Sequence, residues 1–171
     1  MNMTHYMELL AVNQPWNLFL FMAVPVILAE TVAVTELYLL ATRSYDGVIR
    51  RINRTAGIVV GLYFVGIVLY LVTEAVLPLT ASGGWRGWID MVAVGAYLLG
   101  VVPLGGIALL DLGLIARGRD AHSRMTIHAA LVGAFLIVAH VAMIFGMLDP
   151  TLAMAPSAAT AEPHQGHSMA P

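Results

Sequence analysis

The chain has no cysteine and no lysine, and little charge of either sign. Without cysteine it builds no disulfide, zinc–thiolate centre or iron–sulfur cluster. Charged residues make up 11% of the sequence, where a soluble domain carries roughly 25%. A chain of 171 residues that is 60% hydrophobic has too few charges to cover a water-facing surface, which is resolved if lipid is the solvent for much of it. The net charge of −2 gives no footing for a nucleic-acid partner. The first 15 residues hold no Arg or Lys and no small-residue cleavage site closes the first apolar run, so that run is expected to stay as a permanent span.

What is present is a set of four apolar segments, near Trp16–Thr42, Thr55–Leu77, Trp88–Ile115 and Met125–Leu148. Each reaches the ~20 residues a spanning helix needs, and none shows the short alternation of a barrel strand. The expected fold is all-α, an integral membrane four-helix bundle over residues 16–150, with an outer segment 1–15 and a flexible tail 151–171. Arginine sets the expected orientation. Arg43, Arg50, Arg51 and Arg54 separate the first two spans, Arg117, Arg119 and Arg124 the last two, and Arg86 alone lies between the second and third. Positive loops stay in the cytoplasm, so both termini are expected on the periplasmic side of a bacterial inner membrane. Trp16, Trp85 and Trp88 then share the outer interface, where indoles prefer to lie.

Gly57 and Gly61 form a small-xxx-small pair on the second span, and Gly95, Gly100, Gly105, Gly106 and Gly113 crowd the third, as close helix packing in lipid requires. Pro25 and Pro103 are expected to kink their helices and free carbonyls that need partners in the bundle. Polar stripes at helical spacing are taken as inward faces: Thr31, Thr35, Tyr38 and Thr42; Tyr63, Gly66, Tyr70 and Glu74; Asp90, Tyr97, Gly100 and Asp111. Glu74 and Asp90 are expected near the outer interface within reach of water.

Glu30 falls near the bilayer midplane, where a charge costs on the order of 2.5–3.5 kcal/mol and points to function. His140, Met143 and Met147 stand at i, i+3 and i+7 on one face of the fourth span. Imidazole with thioethers suits a soft cation, copper(I) above all. A Met-rich gap filler is the structural alternative. Met1, Met3, His5 and Met7 at the start, and His164, His167 and Met169 in the tail, are candidate outer capture groups. Glu36, Asp111 and His128 form a second group toward the cytoplasmic third, along which a route would continue.

These residues give a small transporter or sensor for a soft metal ion as the first expectation. A b-type haem protein is an alternative. Its ligands would come from His128 or His140, which share one helix, so a His/Met pair or a dimer would be needed. A non-catalytic subunit of a larger membrane complex, or a homo-oligomer, is the third. An enzyme is disfavoured, because no nucleophile–base pair, phosphate loop or Glu-x-x-His motif is present.

The blocks Phe21-Met-Ala-Val-Pro-Val-Ile-Leu-Ala-Glu30, Trp85-Arg-Gly-Trp-Ile-Asp90 and His140-Val-Ala-Met-Ile-Phe-Gly-Met-Leu-Asp-Pro150 resemble a family of small bacterial four-span membrane proteins loosely labelled permeases, over roughly residues 14–150. The resemblance implies an inner-membrane protein and directs attention to Glu30, Asp90 and His140.

Overall fold

The computed structural model describes residues 3–153. Among them a short helix α1 (His5–Ala11) precedes four long helices, α2 (Trp16–Thr42), α3 (Gly47–Ser82), α4 (Trp88–Asp111) and α5 (Ala121–Met147), each long and apolar enough to cross a bilayer. The protein is a multi-pass membrane protein with lipid as its environment. Side chains such as Val34 (69% exposed) and Leu37 (70% exposed) point away from the bundle, as the solvent-facing side of a membrane helix should.

The helix limits differ from the hydropathy-based expectation where polar residues continue a helix beyond the apolar layer. Helix α3 begins at Gly47 rather than near Thr55, its first turns carrying Arg50, Arg51 and Arg54, residues that propagate a helix well. It ends at Ser82 rather than Leu77, past a π-helical turn at Val72–Val76, and stops at Gly83 in the left-handed region. Helix α4 stops at Asp111 rather than Ile115. Gly113 adopts φ +74°, and the Leu114 and Gly113 amides donate to the Leu109 and Leu110 carbonyls at 2.9 and 3.1 Å, a Schellman closure. Helix α5 starts at Ala121, where the Asp120 carboxylate caps the Ser123 amide at 3.0 Å.

Both expected proline irregularities are present. Pro25 has no amide hydrogen, and the preceding turn Phe19–Ala23 is π-helical. The carbonyls left over are taken by tyrosines of neighbouring helices: Tyr97 donates to Phe21 O at 2.6 Å and Tyr63 to Leu20 O at 3.0 Å. Helix α4 breaks at Gly100, one turn before Pro103, because Pro103 cannot donate to the Leu99 carbonyl.

Successive helices pack side by side, and α2 and α5 close the bundle with the loosest seam. Gly57 and Gly61 do form the close approach of α3 to α4. A Cβ on Gly61 would lie 2.5 Å from the Leu104 carbonyl oxygen.

The polar stripes are only partly inward. On α3 the buried face is Asn53, Gly57, Val60, Gly61, Phe64, Ile67 and Leu71, whereas Gly66, Tyr70 and Glu74 are exposed. On α2, Tyr38 and Thr42 are exposed and Glu36 is buried. Threonine satisfies its own hydroxyl within the helix, as in Thr31 to Ile27 O at 2.7 Å and Thr42 to Tyr38 O at 2.8 Å, so a threonine stripe needs no partner helix. The α4 reading holds, and more strongly than expected for Asp90, which is fully buried rather than within reach of water.

Candidate functional site

Three polar or ligand-bearing regions occupy the bundle, two at the end marked by tryptophan and one at the end marked by arginine.

At the tryptophan end α1 is tied across the bundle. Asp90 accepts the His5 backbone amide at 2.7 Å and faces His5 Nδ1 at 2.5 Å, and it also accepts the Arg86 amide at 3.2 Å. Arg86 pairs with Glu8 at 2.6 Å and donates to the Met3 carbonyl. The buried Thr4 hydroxyl donates to Gly146 O at 2.7 Å. Gly146 is required there, since a Cβ would lie 2.6 Å from the Tyr6 ring. Burial among these elements raises the Tyr6 phenol above its usual range.

Beneath α1 lies a cavity of about 210 Å³ whose lining includes Met3, Met7, Met22, Met143 and Met147. The whole chain has ten methionines, so half of them converge on this one space. Next to it, between α2 and α5, a cleft of about 270 Å³ is lined by Met22, Glu30, His140 and Met143, backed by Phe21, Phe64, Tyr97 and Phe135. Tyr6, Met22 and Met143 line both, so the two spaces share walls. Glu30 and His140 are themselves exposed, and they border the loose α2–α5 seam rather than a sealed core. The His140 ring is fixed: Nδ1–H donates to Leu136 O at 2.6 Å. That leaves Nε2 with its lone pair for a ligand. Among the described residues Glu30 has no hydrogen-bond partner, and no group of three His, Asp or Glu side chains is disposed to hold a metal ion.

The sequence-derived trio thus divides along the helix. His140 lines the inner cleft, Met147 the outer cavity, and Met143 both. Met3 and Met7 line the outer cavity, while His5 is engaged with Asp90. Met1, His164, His167 and Met169 lie outside the described residues. Met22 was not singled out by sequence. It sits eight residues before Glu30, close to two helical turns, and that spacing was the available signal.

At the arginine end Glu36, Asp111 and His128 meet, as the second group proposed from sequence. His128 Nδ1 faces Glu36 Oε2 at 2.9 Å and Nε2 faces Asp111 Oδ2 at 3.0 Å. Arg50 binds Asp111 Oδ1 at 2.8 Å and the Asn53 side chain at 2.6 Å. Asn53 reaches Val32 O at 3.1 Å and Thr35 Oγ1 at 3.0 Å on α2. Arg54 and Arg124 donate at 2.8 Å to the carbonyls of Asp111 and Leu110, closing the last turn of α4 where cations suit the helix dipole. Two imidazole nitrogens each facing a carboxylate oxygen cannot both do so as bare lone pairs, so the three groups share two protons across two contacts. With both nitrogens engaged, His128 has no lone pair to offer a metal or a haem iron. Asn53 was not singled out from the sequence, Arg50 was read only as one of the loop arginines and Gly57 only as a packing residue, although their i, i+3, i+7 spacing puts all three on one face.

The glycine at 57 makes this cluster fit. A Cβ there would stand 2.5 Å from Asp111 Oδ2 and 3.5 Å from His128 Nε2.

No curated protein and no solved structure matches the chain. One family model does, over residues 1–162, which takes in α1, all four spanning helices and the three regions of side-chain chemistry; the chain belongs to that family, DUF6803, a family of unknown function.

Proposed function

We propose that the protein is a small membrane transporter or sensor for a soft metal ion, copper(I), received in the methionine-lined cavity under α1 and passed to the cleft of Met143, His140 and Glu30. The observation that carries this reading is the convergence of Met3, Met7, Met22, Met143 and Met147 on one space adjoining an imidazole and a carboxylate. Thioether and imidazole donors select copper(I) over zinc or magnesium. Glu30 adds a negative charge that offsets the cation's cost in a low-dielectric cleft. The arginine distribution favours a periplasmic methionine cavity and a cytoplasmic arginine end in a bacterial inner membrane. Cargo would then enter from outside.

The test is copper(I) binding to the purified chain under reducing conditions, by competition with a coloured copper(I) chelator, together with X-ray absorption of the bound metal. Sulfur and nitrogen scatterers and a stoichiometric, chelator-resistant copper are expected. Met143→Leu keeps the side-chain volume and removes the sulfur, and His140→Leu removes the nitrogen. Each should weaken binding tenfold or more, about 1.4 kcal/mol. A wild-type protein that yields all copper to the chelator, or variants that bind as tightly as wild type, would overturn the reading. The visible spectrum of the same sample tests the haem alternative.

A further inference from the structure

We infer that the Glu36–His128–Asp111 cluster is an intramembrane proton-binding site whose proton is taken up and released at Glu36 Oε1. Glu36, His128 and Asp111 are 3%, 1% and 1% exposed, on three different helices. The charged groups around them are Arg50 and Arg54 from α3 and Arg124 from α5.

The cluster is uneven. Asp111 is saturated, with Oδ1 on Arg50, Oδ2 on His128 and its carbonyl on Arg54. Arg124 donates to the Leu110 carbonyl through Nη2, while its Nε is buried without a partner. On the other side Glu36 uses Oε2 for His128, and Oε1 is buried with no partner. A cluster built only to hold helices together would satisfy that oxygen, since an unpaired buried acceptor costs about 1–3 kcal/mol. As a proton acceptor it needs to be open.

Asp111 is balanced by Arg50, and Glu36 by the imidazolium of His128. Uptake converts the Glu36 carboxylate and a hydronium into a neutral acid and water, with no change of electrons. Oε2 continues to accept from His128 throughout. Glu36 lies six residues from the last residue of α2, about 9 Å along the axis. The arginine end is therefore the near exit.

The experiment is infrared difference spectroscopy of the full, metal-free chain in lipid vesicles, cycled between mildly acidic and mildly alkaline buffer. A protonated-carboxyl stretch should appear on acidification, vanish in Glu36→Gln and persist in Glu30→Gln. No such band in the wild type, or a band that survives Glu36→Gln, overturns the inference. If Glu36→Gln fails to fold, Glu36→Asp withdraws the carboxyl from His128 and should move the midpoint of the band; an unchanged midpoint overturns it equally. Metal-free protein keeps the result separate from the copper reading.

Discussion

Gly61→Ala should loosen the bundle where α3 and α4 approach closely. The new methyl would meet the Leu104 carbonyl oxygen and the Ala108 Cβ, each at 2.5 Å. Carbon–oxygen contacts settle near 3.3–3.6 Å, so α3 and α4 must separate locally by roughly 0.8 Å. The Leu104 oxygen is backbone, so no rotamer change relieves the clash. A gap of about 0.5–1 Å forfeits a quarter to a half of each dispersion contact that crosses it. Overpacking of this kind costs about 1–3 kcal/mol. Gly66→Ala on the same helix is the control, because nothing lies within 4 Å of its Cβ position. Both substitutions gain the same alanine propensity, about 0.8–1.0 kcal/mol, so their difference isolates the steric term. Reversible unfolding in mixed micelles, with titrated denaturing detergent, measures it. Gly61→Ala should fall about 1–3 kcal/mol below Gly66→Ala. Equal stabilities would refute the close-approach reasoning.

Three further outcomes follow from named contacts. Asp90→Ala removes the acceptor for the His5 and Arg86 amides, and hydrogen exchange of the α1 amides should quicken about tenfold or more, with the spanning helices unaffected. Tyr97→Phe strips the Phe21 carbonyl of its donor and should cost about 1 kcal/mol in the same unfolding assay. Hydrogen bonds from Ser123 hold the Asp120 carboxyl below its ordinary 3.8, so its cap is in place at neutral pH and is lost as pH falls through that lowered value. Exchange at the Ser123 amide should rise over that acidic window and be pH-independent, after correction for intrinsic rates, in Asp120→Ala.

Four helices, their approximate limits and the lipid environment were legible in composition and run length alone. So were the Gly57–Gly61 contact and the helix irregularities at Pro25 and Pro103, because steric size and a missing amide hydrogen act locally whatever the neighbours are. The grouping of Glu36, Asp111 and His128 followed from depth along straight helices. Rotation about each helix axis was decided by packing. Small residues let α3 turn Gly57 and Gly61 inward, and Tyr70 and Glu74 were left outside as a consequence. The clasp of α1 by Asp90, and the gathering of Met3, Met7 and Met22 beside Met143, join residues far apart in the chain. Such contacts depend on which helices become neighbours, and no periodicity within one helix encodes that.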